Sequence, residues 1–165
     1  VSAIKRHLEA ELQLLRQHRA GMARQFNGWH TTGEFVLKNG REWQSIPARL
    51  PDGVKCGRMK DCFRNAALLA LGWHRNTYIY CEGYAVSVIP VPHAWCVDLK
   101  GNVIDVTWNN GSAIGSEYYG IAIKSLYLQE FLMKTKRYGL IDAWDARWPM
   151  LKDDPKDWRH PVNDL

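Results

Sequence analysis

The stretch VPHAWCVDLKGNVIDVTW, Val91 to Trp108, reads as two apolar strands around a short polar turn, yet it carries a histidine near its start and an aspartate near its end. A strand residue that faces a core should be apolar, so His93 and Asp105 need either buried partners or a chemical role. The turn decides whether they can meet. With Leu99-Lys100-Gly101 as a three-residue loop, a type I turn followed by a left-handed Gly101, Asp98 faces Asn102. Counting back places Trp95 opposite Asp105 and His93 opposite Thr107, which makes His93 and Asp105 diagonal neighbours on one face. A four-residue loop would turn Asp105 to the other face.

Around this hairpin the chain fits one domain. Its 165 residues suffice for a single core, and 46% hydrophobic with 24% charged residues is ordinary globular composition. Eight Trp and seven Tyr predict a core with bulky members or a cleft lined by rings. The net charge of +5 is dispersed rather than gathered in a Lys/Arg block, which disfavours a nucleic-acid partner. No run of 18 apolar residues is present, so no membrane span is expected. Cys56, Cys62, Cys81 and Cys96 lack the paired spacing of a zinc site and are too sparse for a disulfide scaffold. They read as free thiols in a reducing, cytoplasmic setting, with no metal and no cofactor called for. A start at Val1 instead of a methionine is expected of a fragment or a processed product.

Ile4, Leu8, Leu12, Leu15 and Met22 follow helical spacing behind Ser2, which predicts a helix over about 3–25. Asn39-Gly40, between EFVL and REW, reads as a hairpin turn. DCFRNAALLALG predicts a tightly packed helix with Asp61 as its cap and Gly72 at its end. TYIYC reads as a strand that YAVSVI either continues or pairs back on, YYGIAI as another short strand, and SLYLQEFLMKTKRYG as a helix capped by Ser125 and ended by Gly139. The rest of the tail, rich in Trp and Pro, is expected to wrap the core.

An aspartate beside a histidine fixes the imidazole tautomer and stabilises the imidazolium, the orienting part of a nucleophile, base and orienter triad. The nucleophile best placed to join them is Cys62, in the first turn of its predicted helix, where a thiolate meets the positive end of the helix dipole. Taken in order, DCFRNAALLALG, YCEGYA, HAW and VIDVTW resemble the transglutaminase-like core of the papain-like cysteine enzymes over about residues 56–110. The resemblance implies Cys62 as nucleophile, His93 as base and Asp105 as orienter. It also implies an α+β fold in which an antiparallel sheet packs against the helix carrying the nucleophile. On that reading 1–165 is one domain: an N-terminal helix at about 3–25, a catalytic core at about 56–123, and a C-terminal helix and wrapping tail at 124–165.

The glutamine that supplies an oxyanion donor in papain-type enzymes has Cys56 in its place. The backbone N–H of Cys62 and the ring of Trp43 are the donors expected instead. Glu82 is weighed as a cleft carboxylate that selects substrate against a solvated strand end, and Trp95 as a substrate-side ring against a core residue. The expected activity is thiol-dependent acyl transfer on an amide or peptide, with a protein or peptide as substrate. Water as acceptor gives a hydrolase or deamidase, and an amine gives a transglutaminase. The rival expectation is a binding module that keeps the fold without the chemistry.

Overall fold

The computed structural model describes residues 2–18, 28–29, 31–43, 49–72, 76–109 and 115–165. Its framework is a curled antiparallel sheet of β1 (Arg41–Trp43), β2 (Ile79–Val86), β3 (Pro90–Val97), β4 (Val103–Ile104) and β5 (Glu117–Ala122), in the order β1-β5-β2-β3-β4. The described helices are α1 (Ala3–His18), α2 (Thr32–Asn39), α3 (Cys62–Leu71), α4 (Ser125–Thr135) and α5 (Pro155–Trp158). Helices and an antiparallel sheet in separate segments make the class mixed α and β.

Alternation along β2 explains the layering. Tyr80, Glu82 and Tyr84 face one side, where α1, α2, α3 and α4 cover the sheet and bury Leu8, Phe35, Ala66, Ala70 and Leu128 against Tyr80, Ala94 and Cys96. Ile79, Cys81 and Ala85 face the other side and meet Trp43, Trp95, Val97, Tyr118 and Val162. The small residues of α3 allow its close approach to β3, where the Cys96 thiol donates to the Ala66 carbonyl at 3.3 Å. The tail does wrap the core. Trp158 is fully buried in the helix-side cluster, and the Asn163 amide pairs with both the N–H and the C=O of Ala122.

At the centre of the sheet, Gly83 pairs with Gly120 on one side and with His93 on the other. A Cβ on Gly83 would stand 2.3 Å from the Tyr119 carbonyl oxygen, and one on Gly120 would stand 2.5 Å from that of Glu82. Both positions admit only glycine because the backbones of β2 and β5 close in on each other there.

Several local expectations need correction. The N-terminal helix ends at His18, and the expected residues 19–25 lie outside the described ones. Asn39-Gly40 is the end of α2, not a hairpin turn. Thr31 caps the helix by accepting from the Glu34 N–H at 2.9 Å, and β1 pairs with distant β5. EFVL has the look of a strand, but Phe35 and Val36 are adjacent core residues of one helix face broad enough to bury both. Of the two arrangements expected for TYIYC and YAVSVI, the continuous one is observed, as the single strand β2. Asp61 makes no side-chain capping bond and pairs with Arg64 at 3.6 Å, while Gly72 is extended instead of left-handed. Ser125 is the first residue of α4, which closes on a left-handed Lys136 ahead of Gly139.

Candidate active site

The hairpin has the odd loop. Gly101 sits at φ +83°, the Gly101 N–H donates to Asp98 O, and the Asp98 N–H donates to Asn102 O, each at 3.0 Å. Cys96 then pairs with Ile104 and Val97 with Val103. One step beyond the ladder, Asp105 falls on the face of His93, and His93 Nε2–H donates to Asp105 Oδ2 at 2.8 Å. Neither residue is a solvated surface group, since His93 is 1% exposed and Asp105 0%.

Asp105 is held from three further directions. Tyr118 Oη–H donates to Oδ2 at 2.8 Å, and the backbone N–H groups of Thr107 and Trp108 donate to Oδ1 at 2.8 and 2.9 Å. Burial by itself would raise the carboxyl's pKa, but the His93 hydrogen bond and charge, with those backbone donors, hold it below the usual carboxylate value. Trp108 lies flat on the imidazole, with ring centroids 3.9 Å apart and planes within 16°. An indole face there favours the charged ring. Burial would depress the His93 pKa, but hydrogen bonding and charge from Asp105 and from the Cys62 side chain outweigh it and lift it to about 9.

Cys62 reaches the pair because α3 is tied to the segment after β4. Asn65, one turn along the same helix face, donates through Nδ2 to Thr107 Oγ1 at 3.0 Å, and the Gly57 N–H donates to Val106 O at 2.7 Å. As the first residue of the ten-residue α3, Cys62 stands where the backbone N–H groups have no partner within the helix. Since Nε2 is engaged by Asp105, Nδ1 is the nitrogen left for the thiol. Cys62, His93 and Asp105 therefore stand in one line of interaction. A carboxylate-held imidazole beside a thiol in the first turn of a helix is an arrangement that can support nucleophilic chemistry at sulfur.

The other thiols stand apart. Burial pushes the Cys81 and Cys96 thiols well up, and Cys56 is exposed, its Sγ 3.5 Å from Asn109 O.

The accessory assignments of Trp43 and Glu82 are corrected, and for Trp95 the core alternative is the one observed. Trp43 is buried, and its Nε1–H is committed to the Gly120 carbonyl at 3.0 Å, so it offers no donor to an oxyanion. Glu82 is 3% exposed and accepts from Tyr80 Oη and from the backbone N–H groups of Leu140 and Ile141, at 2.8, 2.7 and 2.9 Å. It fastens the C-terminal segment to β2 and faces no cleft. Trp95 has none of its surface exposed, and its ring packs edge-on against Tyr118 behind His93, so it is wall and not contact surface. Sequence reasoning missed Tyr118 and Asn65. Tyr118 was hidden in a strand whose pairing partner is remote in sequence, and Asn65 in a run read only for its apolar spacing.

Among the described residues no three His, Cys, Asp or Glu side chains gather as a metal site, and no helix is long and apolar enough to cross a membrane. Comparison of the chain with family models, with curated proteins and with solved structures finds no match.

Proposed function

We propose that the protein is a cysteine acyl-transfer enzyme of papain-like or transglutaminase-like type, acting on an amide of a protein or peptide. The observation that carries this reading is that one buried imidazole is shared between Asp105 and Cys62 at the start of α3. In the proposed cycle the Cys62 proton already rests on His93 Nδ1 before substrate arrives, and the Cys62 sulfur attacks the amide carbonyl carbon as a thiolate. The developing oxyanion meets the Cys62 backbone N–H, the C–N bond breaks, and the imidazolium returns its proton to the leaving nitrogen. Water or an amine then attacks the thioester and gives its proton to His93, the C–S bond breaks to release the acyl product, and the Cys62 sulfur and His93 Nδ1 again share that one proton. Asp105 holds the ring throughout. Water as acceptor makes the protein a hydrolase or deamidase, and an amine makes it a transglutaminase. The reading places it in the cytoplasm, where a free catalytic thiol persists.

The competing reading is a binding module in which the same three residues are only structural. Competitive alkylation separates the two without a known substrate. Under limiting iodoacetamide at about pH 6, where an ordinary thiol with pKa ~8.5 is protonated, Cys62 should be labelled ahead of exposed Cys56. His93→Ala should remove the preference. If peptide mapping finds Cys56 labelled first in the parent protein, or the Cys62 preference intact in His93→Ala, the binding module takes its place.

A further inference from the structure

We infer that the enzyme selects acidic peptide segments, seating an apolar side chain of the substrate in a cleft that runs along α3 away from Cys62; this rests on the acyl-transfer reading above. The cleft encloses about 330 Å³ between the loop at 53–57 and the side of α3, the low end of the range for ligand sites. Val54, Leu68, Leu69 and Val106 give it apolar walls, and Leu68 stands 50% exposed. An apolar side chain that bare is covered at little cost by another apolar group.

The cleft and the triad share parts. Asn65 lines the cleft while its Nδ2 donates both to Thr107 Oγ1 and to the Arg58 carbonyl, at 3.0 and 2.8 Å. The loop is pinned closely, because a Cβ on Gly57 would lie 2.2 Å from Asn65 Cγ. The wall is thus a built surface continuous with the segment that holds Asp105. Leu68 and Leu69 lie roughly 10 Å from Cys62 along the helix axis at 1.5 Å per residue. An extended chain covers that distance in about three residues. The side chain in the cleft therefore belongs to a residue about three positions from the reacting amide.

Charge gives the flanking preference. Among the described lining residues Lys55 is the one charged side chain, and no carboxylate joins it. Lys55, Arg58 and Lys60 are exposed along the same loop with no ion pair among the described residues; Asp52 is the acidic residue within the loop and leaves it net positive, and Asp61 at its end is engaged by Arg64. A carboxylate beside the apolar anchor would meet this cationic rim, and a lysine there would be repelled.

The test is protection of Cys62 from iodoacetamide by two symmetric peptides, Glu-Leu-Gly-Gly-Gln-Gly-Gly-Leu-Glu and its twin with Lys at both ends, so that either chain direction presents the same anchor. The Glu peptide should protect at a concentration at least about threefold below the Lys peptide, the scale of one or more exposed ion pairs. Lys55→Glu should erase or invert the preference, and Leu68→Ser should weaken protection by both peptides. Both residues are exposed, so neither change threatens the fold. Equal protection by the two peptides, protection by neither, or a preference that survives Lys55→Glu overturns the inference. Loss of the Cys62 preference with no peptide present is a separate readout and belongs to the acyl-transfer reading.

Discussion

Asp105 accepts four hydrogen bonds with none of its surface in water, and the fold depends on it as much as the chemistry would. Asp105→Ala leaves the His93 ring N–H, the Tyr118 hydroxyl and two backbone N–H groups buried without an acceptor. At roughly 1–3 kcal/mol for each unsatisfied group, partly relieved by relaxation and entry of water, a loss of about 3–5 kcal/mol is expected. Asp105→Asn keeps one oxygen for the backbone donors and removes the charge that holds the imidazolium. It should cost less stability than the alanine and still blunt the alkylation preference of Cys62. Chemical denaturation of both variants with peptide mapping checks this, and an alanine variant as stable as the parent would remove Asp105 from its structural role. His93 and Asp105 were legible in the sequence because two polar residues in apolar strands stand out. Trp43, Glu82 and Trp95 were not, because the groups that occupy them, Gly120 O, Leu140 N and the Tyr118 ring, lie far away along the chain.

At the scale of elements, β2 carries a carboxylate that works as a clamp. Burial raises the Glu82 pKa, and the Leu140 and Ile141 N–H groups and the Tyr80 hydroxyl partly offset it by stabilising the ionised form. Glu82→Ala should therefore lower stability by about 3–5 kcal/mol, from roughly 1–3 kcal/mol for each of three donors left bare, partly relieved by relaxation and entry of water. Amide exchange at Leu140 and Ile141 should quicken, while the order of cysteine labelling stays as in the parent. A change in labelling order with unchanged exchange would return Glu82 to the substrate side. Helix α3 and the hairpin were readable because each is specified locally, by spacing in one and by a glycine turn in the other. Helix α2 was misread because its short apolar run satisfies strand and helix templates alike, and Thr31 as its cap and β5 as the partner of β1 settle it.

For the whole molecule, the raised pKa of His93 couples stability to pH. The imidazole titrates near 6.5 when unfolded and about 9 when folded, so folding takes up a proton between those values. The contribution is complete below about pH 6.5 and is lost as pH rises through about 9. Denaturant midpoints of Cys62→Ala, in which no thiol proton can supply the ring, should fall across this window more steeply than those of the double variant Cys62→Ala with His93→Gln, which cannot titrate there. Parallel curves for the two proteins would show that the imidazole is not held charged.

The sequence by itself determined the hairpin register, helix α3 and the order Cys62, His93, Asp105, because turn chemistry and side-chain periodicity act over a few residues. Only the tertiary structure decided what surrounds them. The fourth contact on Asp105 comes from Tyr118, across the curl of the sheet, and α3 is drawn to the site by an Asn65–Thr107 bond spanning 42 positions. Such contacts arise from sheet order and closure, which alternation within a strand does not encode, so a residue's local pattern says which face it takes and not what it meets there.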